Sequence, residues 1–238
     1  MGFEVIPAID VSGGRLARLG PGGPVPIGSF DGDPVAAARS FVDSGATWLH
    51  FVDLDRALTR SASSTAMLRR VCELGVRVQA SGGLSNANDV EGALEAGADR
   101  VVLGSAGLAD QASARALIER HGEALVVGIE TDGARIEPRG GEGIELPLWE
   151  TLEWLGELKV ARFLHTEVGR VGGLGGPDLD GVWALAKSTG RPVLGSGGVR
   201  DLDDLRALAA LGAGVEGAIV GRALYEGLDF RTARAALA

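Results

Sequence analysis

Short apolar runs and longer amphipathic stretches alternate along this chain from one end to the other. The runs Val5–Ile9, Trp48–Val52, Val76–Ala80, Arg100–Leu103, Leu125–Ile129, Arg162–Thr166, Pro192–Gly195 and Gly217–Val220 are largely apolar. They lack the in–out alternation of a strand with one wet face, so they read as parallel strands covered on both sides. Between them, apolar positions recur at helical spacing. Asp33 and Pro34 supply an N-cap and a first-turn proline for a helix over Val35–Val42, and Gly45 follows its end. The same grammar predicts helices over Asp110–His121, Leu146–Leu158, Asp178–Ser188 and Leu202–Leu211. Eight strand–helix units predict an α/β fold, a (β/α)8 TIM barrel formed by residues 1–238 as a single domain. A doubly wound open sheet is the alternative.

An internal repeat favours the barrel. Ser81-Gly82-Gly83-Leu84 leads through a helix to Val102-Leu103-Gly104-Ser105-Ala106, and Ser196-Gly197-Gly198-Val199 leads through a helix to Ile219-Val220-Gly221-Arg222-Ala223. The copies lie about half a chain apart. The same register sets Ile9-Asp10 opposite Ile129-Glu130 and Val52-Asp53 opposite Thr166-Glu167. Two half-barrels account for both matches.

Composition changes the picture at three points. Glycine is 38 of 238 residues, more than twice the usual share of about 7%, and it falls where strands end and helices begin. The 23 basic residues face 32 acidic ones, net −9, with no basic run; that argues against a nucleic-acid partner but not against a small anion, which backbone N–H groups can hold. The lone Cys72 cannot form an internal disulfide. No basic leader or 18-residue apolar segment is evident, so the reading is a cytoplasmic monomer with no membrane partner.

In such a barrel the chemistry sits at the C-terminal ends of the strands. The strand-end residues here are Asp10, Asp53, Ser81, Gly104, Glu130, Thr166, Ser196 and Gly221. Four belong to glycine-rich turns: Ser81-Gly82-Gly83, Gly104-Ser105, Ser196-Gly197-Gly198 and Gly221-Arg222. Glycine lets backbone approach a phosphate, so the repeated set predicts two phosphate sites on opposite rims and an elongated bisphosphate ligand. Each turn taken singly could be no more than a tight βα connection. Asp10 is the candidate general base and Glu130, its mirror, the candidate acid. Asp53 reads as structural, and His50 and His165 as core histidines. His121 suits a helix C-terminus, while Cys72, Met67, Trp154 and Trp183 lie at core spacing. No metal-ligand spacing, nucleophile elbow or dinucleotide fingerprint is present, and no cofactor is expected.

At these residues the sequence resembles the phosphoribosyl isomerases of histidine biosynthesis (HisA), most of all their actinobacterial bifunctional form. The resemblance spans the chain and is carried by Ile6-Pro7-Ala8-Ile9-Asp10 with Arg18-Leu19, Leu49-His50-Phe51-Val52-Asp53-Leu54-Asp55, Ser81-Gly82-Gly83, Leu174-Gly175-Gly176-Pro177, Ser196-Gly197-Gly198-Val199 and Gly214–Tyr225. It implies a cofactor-free Amadori rearrangement, in which a phosphorylated aminoaldose opens its ring, loses a proton at C2 and becomes an aminoketose. It also implies substrate contacts at Arg18, Thr166, Gly176 and Arg222. The chain departs from the family pattern at four places. Glu130 stands where aspartate is usual, Val171 where the loop after the sixth strand carries a catalytic aspartate, Ser85 where arginine is common, and a residue near Gly141 where tryptophan is common. Three readings follow: a working isomerase using Asp10 and Glu130, a paralogue acting on a different phosphorylated substrate, and a phosphometabolite-binding barrel of little or no activity.

Overall fold

The computed structural model describes residues 2–60, 64–133, 135–137 and 146–237. Eight parallel strands close into a barrel: β1 Glu4–Ser12, β2 Trp48–Asp53, β3 Arg77–Ser81, β4 Arg100–Leu103, β5 Leu125–Thr131, β6 Phe163–Glu167, β7 Val193–Ser196 and β8 Val215–Val220. Closure is direct. β8 pairs with β1 through Ile6↔Ile219, and β5 pairs with β6 through Glu130↔Thr166. All eight predicted runs are strands of this barrel, which settles the choice against an open sheet.

Their missing alternation has a structural cause. One face of the strands fills the barrel with Ile6, Ala8, Trp48, Val102, Val126, Leu164, Leu194 and Ile219, all buried. The opposite face, including Leu49, Phe51, Val101, Leu103, Phe163 and Val193, packs on the helix layer through Phe41, Leu68, Val90, Leu117, Leu155, Val182 and Leu205. Both faces are apolar because both are covered, and each large side chain so buried contributes about 1.5–3 kcal/mol.

The helices in chain order are α1 Pro34–Asp43, α2 Leu54–Thr59, α3 Thr65–Cys72, α4 Ala87–Glu95, α5 Gln111–His121, α6 Leu148–Gly156, α7 Leu179–Thr189, α8 Leu202–Ala209, α9 Arg222–Tyr225 and α10 Phe230–Ala235. Side-chain caps fix where several begin. Asp33 accepts from Val35 N at 2.8 Å, Asn86 from Asp89 N at 3.1 Å, Asp110 from Ser113 N at 3.1 Å and Asp178 from Gly181 N at 3.2 Å. None of the helices is long and apolar enough to span a membrane among the described residues. Cys72, Met67 and Trp154 pack partly buried against the outer core. Trp183 does not: it is 49% exposed, because α7 turns Val182 and Leu185 inward instead. His165 points outward to α7, its Nε2 2.8 Å from Asp178 Oδ2, and this contact holds the aspartate below its ordinary pKa.

At the N-terminal end the barrel is plugged by charge and aromatic stacking. Arg162 Nε donates to Glu216 Oε1 at 2.8 Å and Arg100 lies 3.6 Å from the same oxygen. The Arg100 and Arg77 guanidiniums stack on Trp48 at 4.0 and 4.5 Å from its ring centre. Burial and the neighbouring Arg162 lower the Arg100 pKa to about 10.

The segment after β1 is more ordered than a glycine-rich loop. Arg15–Gly20 and Gly23–Pro26 form an antiparallel hairpin. Asp55 anchors its base, accepting from Ser12 Oγ at 2.6 Å and Gly13 N at 2.7 Å.

Candidate active site

The C-terminal ends of the strands surround one mouth. Its wall brings together Asp10, Arg18, Ser81, Gly82, Gly83, Gly104, Glu130, Thr166, Ser196, Gly197, Gly198, Gly221 and Arg222. Thirteen of the fifteen residues singled out from the sequence thus share one cavity. Ser105 and Gly176 are the other two, and each supports a residue that lines it.

Ser105 is fully buried at the end of β4. Its hydroxyl donates to Glu130 Oε2 at 2.6 Å, and Glu130 N donates back to Ser105 Oγ at 3.3 Å. The serine therefore orients the longer carboxylate that stands on β5. Gly176 lies in the loop after β6 and donates from its N–H to Gly198 O at 2.9 Å. Arg170 Nη1 holds the Gly176 carbonyl from the other side at 3.0 Å.

The two Ser-Gly-Gly turns share positive φ at both glycines. Gly82 and Gly83 have φ of +101° and +67°, and Gly197 and Gly198 have +93° and +83°. The repeat seen in the sequence is thus a repeat of conformation. Close packing gives one reason for glycine. A Cβ on Gly82 would sit 2.3 Å from Asp53 O, and one on Gly198 would sit 2.1 Å from Gly176 O. Each turn is pressed against the loop before it, which leaves its other side toward the mouth.

Asp53, in turn, is structural. It caps α2, accepting from Arg56 N at 3.0 Å, and its other oxygen accepts from Ser64 N at 2.5 Å. Glu167, its mirror after β6, accepts from Gly169 N at 3.2 Å and pairs with Arg170 at 3.3 Å.

Asp10 stands on β1 at the level of Val52. Behind it, Tyr225 donates its hydroxyl to Ala8 O at 2.8 Å, and burial and the adjacent Asp10 hold that phenol protonated. Val171 also lines the mouth, close to Gly197, and offers no titratable group. The hairpin after β1 reaches the loop after β6. A Cβ on Gly172 would lie 1.8 Å from Leu19 O, and Arg222 Nη1 donates to Gly172 O at 3.3 Å. These contacts roof the mouth.

Two lining residues escaped the sequence reading. His50 forms part of the floor, and Arg60 lines the wall that Ser85 also lines. Arg60 follows α2 in the left-handed region, with φ of +57°. With Arg18 and Arg222 it puts three guanidinium groups in the mouth against two carboxyl groups. Arg222 is itself paired with Glu226, Nε to Oε1 at 2.8 Å. The residue near Gly141 lies outside the described residues. Among those residues, no group of three or more His, Cys, Asp or Glu is placed to hold a metal.

A barrel of this construction, with paired glycine turns and two facing carboxyl groups at its mouth, has the form of a small-molecule enzyme. Comparison with known proteins makes the class specific. Residues 4–229 match the family of histidine biosynthesis proteins, and the chain belongs to that family. A relative from Thermobifida fusca is 40% identical over 94% of this chain and 92% of its own length. Its name is that of an imidazole-carboxamide isomerase whose substrate carries two phosphoribosyl groups. A relative from Renibacterium salmoninarum bears the same name at 41% identity, covering 94% of this chain and 92% of its own. Phosphoribosyl isomerase A of Mycolicibacterium paratuberculosis is 42% identical over 94% of this chain and 93% of its own.

Proposed function

We propose that this protein is an aldose–ketose isomerase that carries out an Amadori rearrangement on a phosphoribosylamine of histidine biosynthesis. The observation that carries the reading is the mouth itself, where Asp10 and Glu130 stand between two Gly-Gly turns whose glycines all have positive φ. Its relatives' names supply the reaction class.

In this reading the substrate carries a phosphate at each end. One phosphate takes the N–H groups around Gly82, Gly83 and Gly104, and the other those around Gly197, Gly198 and Gly221 with the Arg222 guanidinium. Asp10 removes the C2 proton. The acid that opens the furanose ring is Glu130, held in place by Ser105. The roof made by Leu19 and Gly172 limits water at the reacting carbons. Sugar-phosphate precursors of amino acids are made in the cytoplasm, and the reading puts the protein there as one barrel domain.

Val171 favours a second reading, in which the scaffold serves a different phosphorylated sugar. Steady-state turnover separates the two, with the histidine-pathway bisphosphate and phosphoribosylanthranilate as substrates and Asp10→Asn as the control. Turnover by the wild type that falls at least 1,000-fold in Asp10→Asn, as expected from the loss of a general base together with its charge, supports the isomerase. Activity that survives in Asp10→Asn removes Asp10 from the mechanism. A folded wild type that binds phosphate and turns over neither compound sinks the first reading in favour of the second.

A further inference from the structure

The floor of the mouth holds one polar group that the phosphate turns and the two carboxyl groups leave unexplained. Ala8, Val102, Leu164 and Ile219 make the floor apolar, and His50 borders the cavity among them while only 4% exposed. It pairs with Ala8 in the β1–β2 register, so it lies two residues below the level of Asp10, about 7 Å along the strand. Gly128, across the barrel, contributes no side chain to cover it.

The ring's orientation is fixed from behind. His50 Nδ1 lies 3.0 Å from Gln79 Nε2. An amide nitrogen only donates, so Nδ1 accepts and the ring proton is at Nε2. The Gln79 Oε1 is itself buried without a hydrogen-bond partner among the described residues. No described residue accepts from Nε2. Burial keeps the imidazole neutral, with its pKa lowered to about 3.

We propose that His50 is a further catalytic residue of this site, a neutral hydrogen-bond donor to the C2 oxygen of the substrate, with Gln79 as its positioning residue. The proposal rests on the isomerase reading above. Asp10 takes the C2 proton and the freed electron pair passes to the iminium nitrogen, giving a neutral enaminol; as Asp10 then returns that proton to C1, the enol hydroxyl gives its own proton to the Glu130 carboxylate left by ring opening, and the oxygen carries negative character while it becomes the carbonyl. The Nε2–H bond stabilises that oxygen and the imidazole keeps its own proton throughout. A neutral donor suits the task because it puts no positive charge beside Asp10, which would lower that carboxylate's basicity.

Two measurements test it. Nitrogen-15 NMR of the imidazole in wild-type protein at pH 7 is expected to show protonation at Nε2 alone, and in Gln79→Glu protonation at Nδ1, whose hydrogen the new carboxylate accepts. Turnover is expected to fall about 100-fold in kcat in His50→Leu, the usual loss for one oxyanion donor, with KM changed less than threefold. His50→Gln, which keeps an N–H donor, should recover part of it. Gln79→Glu should lower kcat and add a limb to its pH profile as the ring becomes titratable near neutrality. A wild-type ring protonated at Nδ1, or a His50→Leu protein with kcat within threefold of wild type, overturns the proposal. Should His50→Leu not fold, the Gln79→Glu spectrum and pH profile decide it, and an unchanged profile rejects it. Wild-type protein that isomerises neither substrate rejects the catalytic role together with the isomerase reading, while an Nε2-protonated ring in that same sample would leave the Gln79 contact standing.

Discussion

Val171 lines the mouth beside Gly172, Gly173 and Gly197. Its isopropyl group can neither give nor take a proton, so any acid in this mouth must come from another strand. Glu130 is placed for that work, one methylene longer than the usual aspartate and fixed by the fully buried Ser105. Returning a carboxyl group to the loop after β6 should help the reaction if that loop still presents its side chain correctly. We expect Val171→Asp to raise kcat at least tenfold, within the range of a positioned general acid. The check is steady-state turnover beside that of Val171→Asn, which is similar in size but cannot supply the proton. Equal rates in the two variants would mean that proton donation at this position is irrelevant. Asp10 and Glu130 were legible in the sequence because strand ends can be counted, and Val171 only through the resemblance to the family's loop after the sixth strand. His50 was not, since a mid-strand histidine among apolar neighbours looks the same whether the barrel below is filled or open. What opens it are Ala8 and Gly128 on other strands, a juxtaposition no local window contains.

Among elements, the paired turns show why glycine clusters here. From the sequence, Gly-Gly reads as room for a phosphate. The structure adds a second reason, close packing of Gly82 on Asp53 and of Gly198 on Gly176. Gly198→Ala must therefore displace the turn, and we expect it to weaken binding of inorganic phosphate or substrate at least tenfold while destabilising the fold. Gly190 makes the matching control. It is left-handed too, at φ of +62°, but a Cβ there meets open space at the end of α7. Gly190→Ala should cost only about 1–2 kcal/mol of backbone strain and leave binding unchanged. Equilibrium dialysis with phosphate and thermal unfolding of both variants test the pair, and equal phosphate affinity in the two would count against this account. The strands were predicted to within three residues at each end, because their double burial suppresses alternation. The hairpin over Arg15–Gly20 and Gly23–Pro26 was not predicted, since its strands are short and its anchors, Asp55 at the base and Gly172 after β6, are distant in the sequence. That the turn after β4 sets Ser105 against Glu130 could not be read from the sequence, because the two lie on different strands.

For the whole molecule, the two ends of the barrel divide stability from function. The mouth gathers glycine turns and guanidinium groups for a ligand, whereas the closed end sets Arg100 and Arg162 on the single carboxylate of Glu216. Removing that carboxylate leaves Arg100 without its ion pair and Arg162 with only the exposed Glu123, 3.1 Å from its Nη1. Glu216→Ala is expected to cost about 3 kcal/mol and to lower Tm by roughly 6–12 °C for a chain of this length. Turnover at 25 °C should stay within twofold, because no residue of this cluster reaches the mouth. A thermal scan together with an activity assay reads both effects, and lost activity in a folded sample would contradict the separation.

The near-symmetry of the halves has its own consequence for any ligand that lies across the mouth. Each half brings one Ser-Gly-Gly turn and one carboxyl group, so a molecule with a phosphate at both ends meets similar grips whichever way round it arrives. The polarity of binding must then come from what the halves do not share. Arg18, Arg60 and His50 belong to the first half, and Arg222 and the longer Glu130 to the second. In a lock that would accept its key from either end, these few unmatched side chains are what distinguishes one end from the other.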